Sequence, residues 1–331
     1  MSTVGVVICT HLAERLDSLS AAVTSVLEQT RVPDELIVVV DGDAELEALV
    51  AERLPHVRVM GMGRNQGLSA ARNAGVAALT TDVVAFLDDD AVGAAAWIER
   101  LEDALADCAV YGASGRSDAL WEAPRPRWLP DEFLWVIGCS YEGQPTDRQQ
   151  VRNVYGGCCA LRREMFDELG GYDLDLGKSA DRNGGGEEAD LCLRAAARWP
   201  NVIFVHEPSA VILHRVPAAR LRLSYVMGRA FDEGLMKARL MSTQQGALGP
   251  ERAFARRIPR KVAREAGRAV RGDGGAASQV GGLVALTGGV LAGLAVGRVR
   301  TARARRSSVP TSVVPRGVDL EMPGSHGGDH V

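Results

Sequence analysis

Short apolar runs alternate with segments of helical periodicity through the first third of the chain. Val4–Cys9, Glu35–Val40, Val57–Met60, Val83–Leu87 and Val110–Ala113 have strand composition. Between them, Leu16–Gln29, Glu45–Leu54, Gly67–Leu79 and Ala94–Asp107 place apolar residues three and four apart. This alternation predicts an α/β fold with a mostly parallel, doubly wound sheet flanked by helices. Further on, Arg152–Ala160 reads as a strand with a small-residue kink, and Arg163–Leu169 as a helix stopped by Gly170-Gly171. Val202–Val205 and Ala210–Leu213 read as two more strands. Trp121–Tyr141 is irregular and aromatic, holding Trp121, Trp128, Trp135 and three prolines.

The polar residues that interrupt this pattern fall where a site belongs. Ligands of open α/β sheets bind at the carboxyl ends of strands. There the second run ends in Asp41, and the fourth ends in Asp88-Asp89-Asp90. Three adjacent carboxylates repel one another and cannot be desolvated without a compensating cation. Hard oxygen ligands suit Mg²⁺ or Mn²⁺, which bind the phosphates of a nucleotide; the plainer alternative is a solvated acidic turn. Arg72, on the helix after Gly67, is placed either to reach a diphosphate or to hold the acidic loops. The glycine-rich loop Gly177–Gly186 suits a lid that closes over substrate. It opens into Glu187-Glu188, where a carboxylate is placed as a general base, though helix N-termini attract acids in any case. His214, at a strand end, is a further candidate metal ligand. The small residues Gly156 and Gly157, the aromatic Trp135 and the loop residue Gly186 are the candidate acceptor and lid positions.

Composition narrows the class. The 331 residues are 46% hydrophobic and 24% charged, ordinary for a globular protein. The six cysteines show neither a C-x-x-C pair nor zinc spacing and read as reduced thiols of a cytoplasmic protein. Met1–Cys9 lacks the pattern of a signal peptide. The net charge of −4 is uneven: residues 251–331 hold 14 Lys and Arg against 6 Asp and Glu, which leaves the first 250 residues at −12. An acidic body with a basic tail argues against nucleic-acid binding and for contact with an anionic membrane surface. Within that tail Phe254–Val270 is a basic helix, and Gly274–Gly297 is free of charge. As a helix, Gln279–Gly297 reaches roughly 28 Å, close to the hydrocarbon thickness of a bilayer. Its glycines weaken a helix, so an interfacial or re-entrant anchor is favoured over a span, with a buried hairpin as the third possibility.

Four motifs in order and spacing carry a resemblance. They are Val6-Val7-Ile8-Cys9-Thr10, Val38-Val39-Val40-Asp41-Gly42, Phe86-Leu87-Asp88-Asp89-Asp90 and Gly186-Glu187-Glu188-Ala189-Asp190-Leu191. Together they resemble the family 2 inverting glycosyltransferases of GT-A fold, over about residues 4–240. The tract from His214 to Arg220 resembles the branch of glucosyl-dolichyl-phosphate glucuronosyltransferases and actinobacterial relatives. The resemblance implies that Asp41 contacts the nucleotide base with Thr10 beside it. It implies that Asp88, Asp89 and Asp90 form the D-x-D region for ribose and metal-bridged diphosphate, with His214 as a further contact. Glu188 aligns with the usual catalytic base and Glu187 stands second. A nucleotide-sugar donor, typically a UDP-sugar, and a glycan or lipid-linked acceptor follow, with Mn²⁺ or Mg²⁺ as cofactor and a location on the inner face of the cell membrane.

The organisation expected is a catalytic domain over 1–240, a basic and apolar helical segment over 241–306 that associates with membrane, and a disordered tail over 307–331. Two other classes compete. A sugar nucleotidyltransferase carries a glycine-rich basic loop after its first strand, and Cys9-Thr10-His11-Leu12 is not one. A catalytically inactive nucleotide- or glycan-binding module of the same fold needs none of these acidic pairs intact.

Overall fold

The computed structural model describes residues 2–179, 182–243 and 249–307. The elements in order are β1 (Val4–Thr10), α1 (Leu16–Leu27), β2 (Glu35–Val40), α2 (Ala44–Arg53), β3 (Arg58–Gly61), α3 (Leu68–Ala78), β4 (Val83–Asp88), β5 (Ala91–Gly93), α4 (Trp97–Ala104) and β6 (Val110–Trp121). They continue with β7 (Gln149–Val151), β8 (Cys158–Arg162), α5 (Glu164–Leu169), β9 (Lys178–Ser179), β10 (Arg182–Asn183), α6 (Glu187–Arg198), β11 (Ile203–Val216), α7 (Leu223–Thr243), α8 (Gly249–Val270) and α9 (Gly274–Ser307).

Strands β3, β2, β1 and β4 run parallel in that order, as their unbroken apolar runs require when helices cover both faces. Beyond β4 the sheet becomes mixed. β8 enters antiparallel between β4 and β6, and β6 pairs parallel with β11. The segment 152–157, expected as strand, is a loop, and β8 begins only at Cys158 because Gly157 has φ +73°. The two strands expected at 202–213 are one, β11, with a register shift between His206 and Val211. The aromatic stretch includes a 3₁₀ helix over Asp131–Ile137.

The side-chain alternation of β1 divides the core. Val4, Val6 and Ile8 pack under α1, α2 and α4, while Val7 faces α3, α5 and α6. A third cluster joins Leu129, Phe133, Val136 and Ile137 to Val226 and Ala230 of α7, Ile258 of α8 and Leu283 and Leu286 of α9. The apolar tail is therefore a long helix docked on α7, and its glycines make the close approach possible. A Cβ on Gly293 would lie 1.9 Å from the Phe231 carbonyl oxygen, and one on Gly282 would lie 1.7 Å from that of Trp128. Arg152, Lys237 and Glu251 tie the segment before β8 to α7 and α8: Arg152 Nη1 donates to both Glu251 oxygens (3.0 and 2.9 Å) and Lys237 Nζ to one of them (3.0 Å). The tail expected to be disordered from Ser307 begins at the last residue of α9, and 308–331 lie outside the described residues.

The docking of α9 gives one substitution two opposite outcomes. Gly293→Ala forces the α7 backbone away and is expected to cost roughly 1–3 kcal/mol. Gly288 has open space around it, so Gly288→Ala is expected to stabilise by up to about 1 kcal/mol through helix propensity. Urea unfolding of the two variants measures both, and a common sign would refute the packing described.

Candidate active site

The carboxyl ends of β1, β2 and β4 form one rim. Cys9 pairs with Asp88 across β1 and β4, and the Asp41 amide donates to the Thr10 carbonyl at 2.8 Å. After Asp88 the chain turns through Asp89 and Asp90 into β5, which pairs antiparallel with β11 so that Ala91 faces His214. The Arg215 amide donates to the Asp90 carbonyl at 2.8 Å. This register brings a histidine 124 positions away in sequence to the aspartates: His214 Nε2 lies 3.3 Å from Asp90 Oδ1.

Asp88, Asp90 and His214 each offer a ligand atom, all within 4.8 Å of one another. Gly138 and Cys139 close over the far side of the imidazole, with His214 Nδ1 3.9 Å from Cys139 Sγ. Arg220 Nη1 lies 3.0 Å from Nε2. A guanidinium only donates and a carboxylate only accepts, so Nε2 serves Asp90 when it carries the proton and Arg220 when it does not, and the second tautomer is the one that offers Nε2 to a metal ion. Two carboxylates and one imidazole fit a divalent ion such as Mn²⁺.

Each acid of the rim has a different environment. Thr10 Oγ1 donates to Asp89 Oδ2 at 2.7 Å, and Arg15 pairs with the other oxygen. Burial pushes the Asp89 carboxyl up to about 6, against the opposing pull of Arg15 and Thr10. Burial also opposes the ionisation of Asp90, but the His214 hydrogen bond and the charges around it, including Arg220 at 2.7 Å, hold that carboxyl well below the usual range. Asp41 is buried with both oxygens engaged: Gln66 N donates at 2.6 Å and Gly67 N at 2.9 Å, which fixes the start of α3 to the end of β2.

Arg72 is the hub on the opposite side. Its buried guanidinium donates to Asp88 (3.2 Å), Glu187 (3.1 Å) and Glu188 (2.7 Å) and lies over the rings of Phe86 and Tyr172. Of its two sequence-based roles, the one shown is to hold the acidic elements together. Next to it on α3, Asn73 exchanges hydrogen bonds with the Tyr172 backbone, 2.9 and 2.8 Å.

The acids of α6 are not equivalent. Glu187 is buried, whereas Glu188 is partly open and faces Gly156, where a Cβ would lie 1.7 Å from Glu188 Oε1. A Cβ on Gly157 would lie 2.3 Å from Asp88 Oδ2. These two glycines thus form the floor between the candidate base and the aspartates. Gly186 starts α6 at φ +88° and packs where a Cβ would meet Met236 of α7 at 2.6 Å. Trp135 packs against Phe133 in the third cluster, ring centres 5.7 Å apart, rather than among the carboxylates. Around the loop expected as a lid, β9 and β10 pair antiparallel, and residues 180–181 lie outside the described residues.

Arg15 and Arg220 were not singled out from sequence. Arg220 stands in the sequence only as the last residue of the tract that begins at His214. Asp88, Asp89, Asp90, Glu187 and Glu188 face Arg15, Arg72 and Arg220, five negative charges against three positive. Asp41 on the same rim, held by backbone amides alone, adds to this excess of negative charge, which favours a cation. A separate cleft of about 500 Å³ between α8 and the start of α9 is lined by four cations and four carboxylates, a balance that gives no such pull.

Comparison with known proteins shows the family. Residues 5–170 match Glycosyl transferase family 2, and the chain belongs to that family. It is 34% identical over 240 residues to the glucosyl-dolichyl phosphate glucuronosyltransferase of Haloferax volcanii, covering 71% of this chain and 76% of the relative. It is 29% identical over 258 residues to the succinoglycan biosynthesis protein ExoM of Rhizobium meliloti, covering 73% and 76%. Among solved structures, the mannosyltransferase PcManGT of Pyrobaculum calidifontis in complex with GDP-Man and Mn²⁺ matches at TM-score 0.56 and 14% identity, over 90% of this chain and 87% of that one. GalNAc-T7 with UDP, GalNAc and Mn²⁺ matches at TM-score 0.50 and 18% identity, over 77% and 54%. The fold is GT-A, and the chain is a family 2 glycosyltransferase.

Two substitutions test the geometry. Arg72→Gln leaves the buried Glu187 and its neighbours without their cation and is expected to cost about 3–5 kcal/mol in urea unfolding. Gly157→Ala drives a methyl group against Asp88 at a φ of +73° and is expected to lower turnover about 10²-fold and to cost about 1–2 kcal/mol in the same unfolding experiment; full activity would mean that this floor does not shape the site.

Proposed function

We propose that this chain transfers a sugar from a nucleoside-diphosphate donor, a UDP-sugar, to a hydroxyl of a lipid-linked or polysaccharide acceptor, with inversion at the anomeric carbon. The observation that carries the reading is the pair of opposed acidic groups: Asp88, Asp90 and His214 on one side, Glu188 across the Gly156-Gly157 floor on the other. In this reading Asp88, Asp90 and His214 hold Mn²⁺ or Mg²⁺. A divalent ion there supplies positive charge to the diphosphate as it departs. Asp89, Thr10, Asp41 and Arg72 belong to the donor side and Gly156 and Gly157 to the acceptor side, while Gly186 sets the start of the helix that carries Glu188.

The acceptor hydroxyl attacks the anomeric carbon opposite the leaving group. Its proton passes to Glu188, the new carbon–oxygen bond forms, and the bond to the diphosphate breaks with its electron pair leaving on the phosphate oxygen. Exposure favours Glu188 over Glu187, because Glu187 is buried behind Arg72. Arg72 keeps the Glu188 oxygen on the pocket side, and Gly156 leaves the space in front of it.

The names of the relatives support a lipid-linked acceptor: the Haloferax protein is named for action on glucosyl-dolichyl phosphate. An exposed apolar face on α9 and the arginines that flank it support contact with the inner face of the cell membrane.

Glu188→Gln is expected to lower turnover about 10²–10⁴-fold with the donor still bound. Asp90→Asn is expected to abolish the metal dependence of donor binding. Thermal shift with UDP, GDP and their sugars, with and without Mn²⁺, reads binding separately from turnover. Stabilisation by a nucleoside diphosphate only in the presence of metal is the expected result. Indifference to every nucleotide, or wild-type turnover from Glu188→Gln, would overturn the assignment.

A further inference from the structure

Helix α9 has two unlike faces. Toward the protein it presents Gly282, Leu283, Leu286, Gly289, Gly293 and Gly297, all buried. Toward solvent it presents Gly281, Val284, Ala285, Gly288, Leu291, Ala292, Ala295, Val296 and Val299, spaced three and four apart. Val284 and Leu291 are each 59% exposed and Val299 52%, and only a third of the apolar window is buried in the protein. From Gly281 to Val299 the stripe runs roughly 27 Å along the helix, and between Gly274 and Gly297 it contains no charge. Arg298, Arg300 and Arg303 stand exposed after it; before it Arg271 is exposed, while Arg268 is paired with Glu265 and Asp273.

We propose that α9 lies in the plane of an anionic bilayer surface, its outward stripe set into the boundary between headgroups and acyl chains, and does not cross the bilayer. The inference deepens the membrane-contact part of the reading above and is independent of the transfer chemistry, so either can fail alone. Three observations lead to it. An exposed apolar stripe on a helix whose other side is packed on protein, with arginines after its C-terminal end, suits shallow burial at a bilayer surface, where binding adds buried apolar area to attraction for anionic lipid. By length and composition alone α9 would also suit a span. Its inner face, however, is occupied by α7, with Gly293 against the Phe231 carbonyl and Gly234 against that of Val290. To cross, α9 must either leave α7 or carry Arg229, Asp232, Glu233, Lys237 and Arg239 of α7 into hydrocarbon, where charged side chains are strongly disfavoured. A second copy of the chain is another occupant of such a face; packed in parallel, it would set Arg298, Arg300 and Arg303 against their own counterparts without neutralising them.

The test uses the full chain with Cys108→Ser, which removes the exposed native thiol. Single cysteines are introduced by Val284→Cys, Leu291→Cys or Val299→Cys and labelled with a polarity-sensitive fluorophore. Vesicles are phosphatidylcholine with phosphatidylglycerol, or phosphatidylcholine alone. The expected result is binding to the anionic vesicles about tenfold or more stronger than to the neutral ones. All three labels should move to the same shallow depth and stay reducible by dithionite added outside. Val284→Asp with Leu291→Asp should weaken binding about tenfold or more, with the melting temperature and the turnover of a water-soluble acceptor unchanged. The proposal is overturned by a Leu291→Cys label deeper than the other two with the Val299→Cys label shielded from dithionite, which is a span. It is equally overturned by labels buried without lipid in a concentration-dependent dimer, or by no binding to either vesicle.

Discussion

Five carboxylates in one pocket are the constraint on which the rest of the structure depends. Like charges at this distance cannot all remain ionised and partly desolvated unless cations are built in beside them. Arg72 serves the three acids that arrive on β4 and α6, and Arg15 and Arg220 serve Asp89 and Asp90. The three guanidinium groups come from different parts of the chain, Arg15 just after β1, Arg72 in α3 and Arg220 after β11. Their convergence holds those parts in register around the site. The carboxylates still outnumber these cations, and an excess of negative charge of that kind favours a bound cation. Folding and ligand affinity therefore draw on the same electrostatic imbalance.

The parallel half of the fold was legible because its signal is local. Strands covered on both faces are continuously apolar, and β1, β2 and β4 lie within a residue or two of where their composition puts them. Asp41 and Asp88 were legible for the same reason, as acids that end such runs. What was illegible depends on pairing across long separations. Nothing in Cys158-Cys159-Ala160 announces that β8 enters antiparallel between β4 and β6. Arg15 follows β1 as an ordinary basic residue, and only the return of Asp89 and Asp90 to the same rim gives it a role. The glycines of α9 were read as weak points of a helix. Their cost in propensity is offset by contact with α7 that no larger residue would allow.

The two acids that open α6 illustrate how local and tertiary causes combine. The helix dipole favours both, so sequence ranks them only by analogy. Burial separates them. Glu187 is enclosed and fixes Arg72, and Arg72 in turn fixes Glu188 at the edge of the pocket. A base must be ionised, oriented and reachable. Glu187 supplies orientation through Arg72, and Glu188, the candidate base, is the reachable one of the two.

The C-terminal helices are joined to this arrangement. Met236 of α7 lies against Gly186 at the start of α6, so α7 supports the turn that presents Glu187 and Glu188. Glu251 of α8 grips Arg152, four residues before the Gly156 floor, and shares Lys237 of α7. A segment that served only as a tether would need no contact with either side of the pocket. Because it supports both the helix of the candidate base and the loop beneath it, docking of α7–α9 is a condition for the geometry of the site. The apolar face of α9 then has a second consequence: whatever covers it acts on a body that is continuous, through Met236 and Glu251, with the carboxylates.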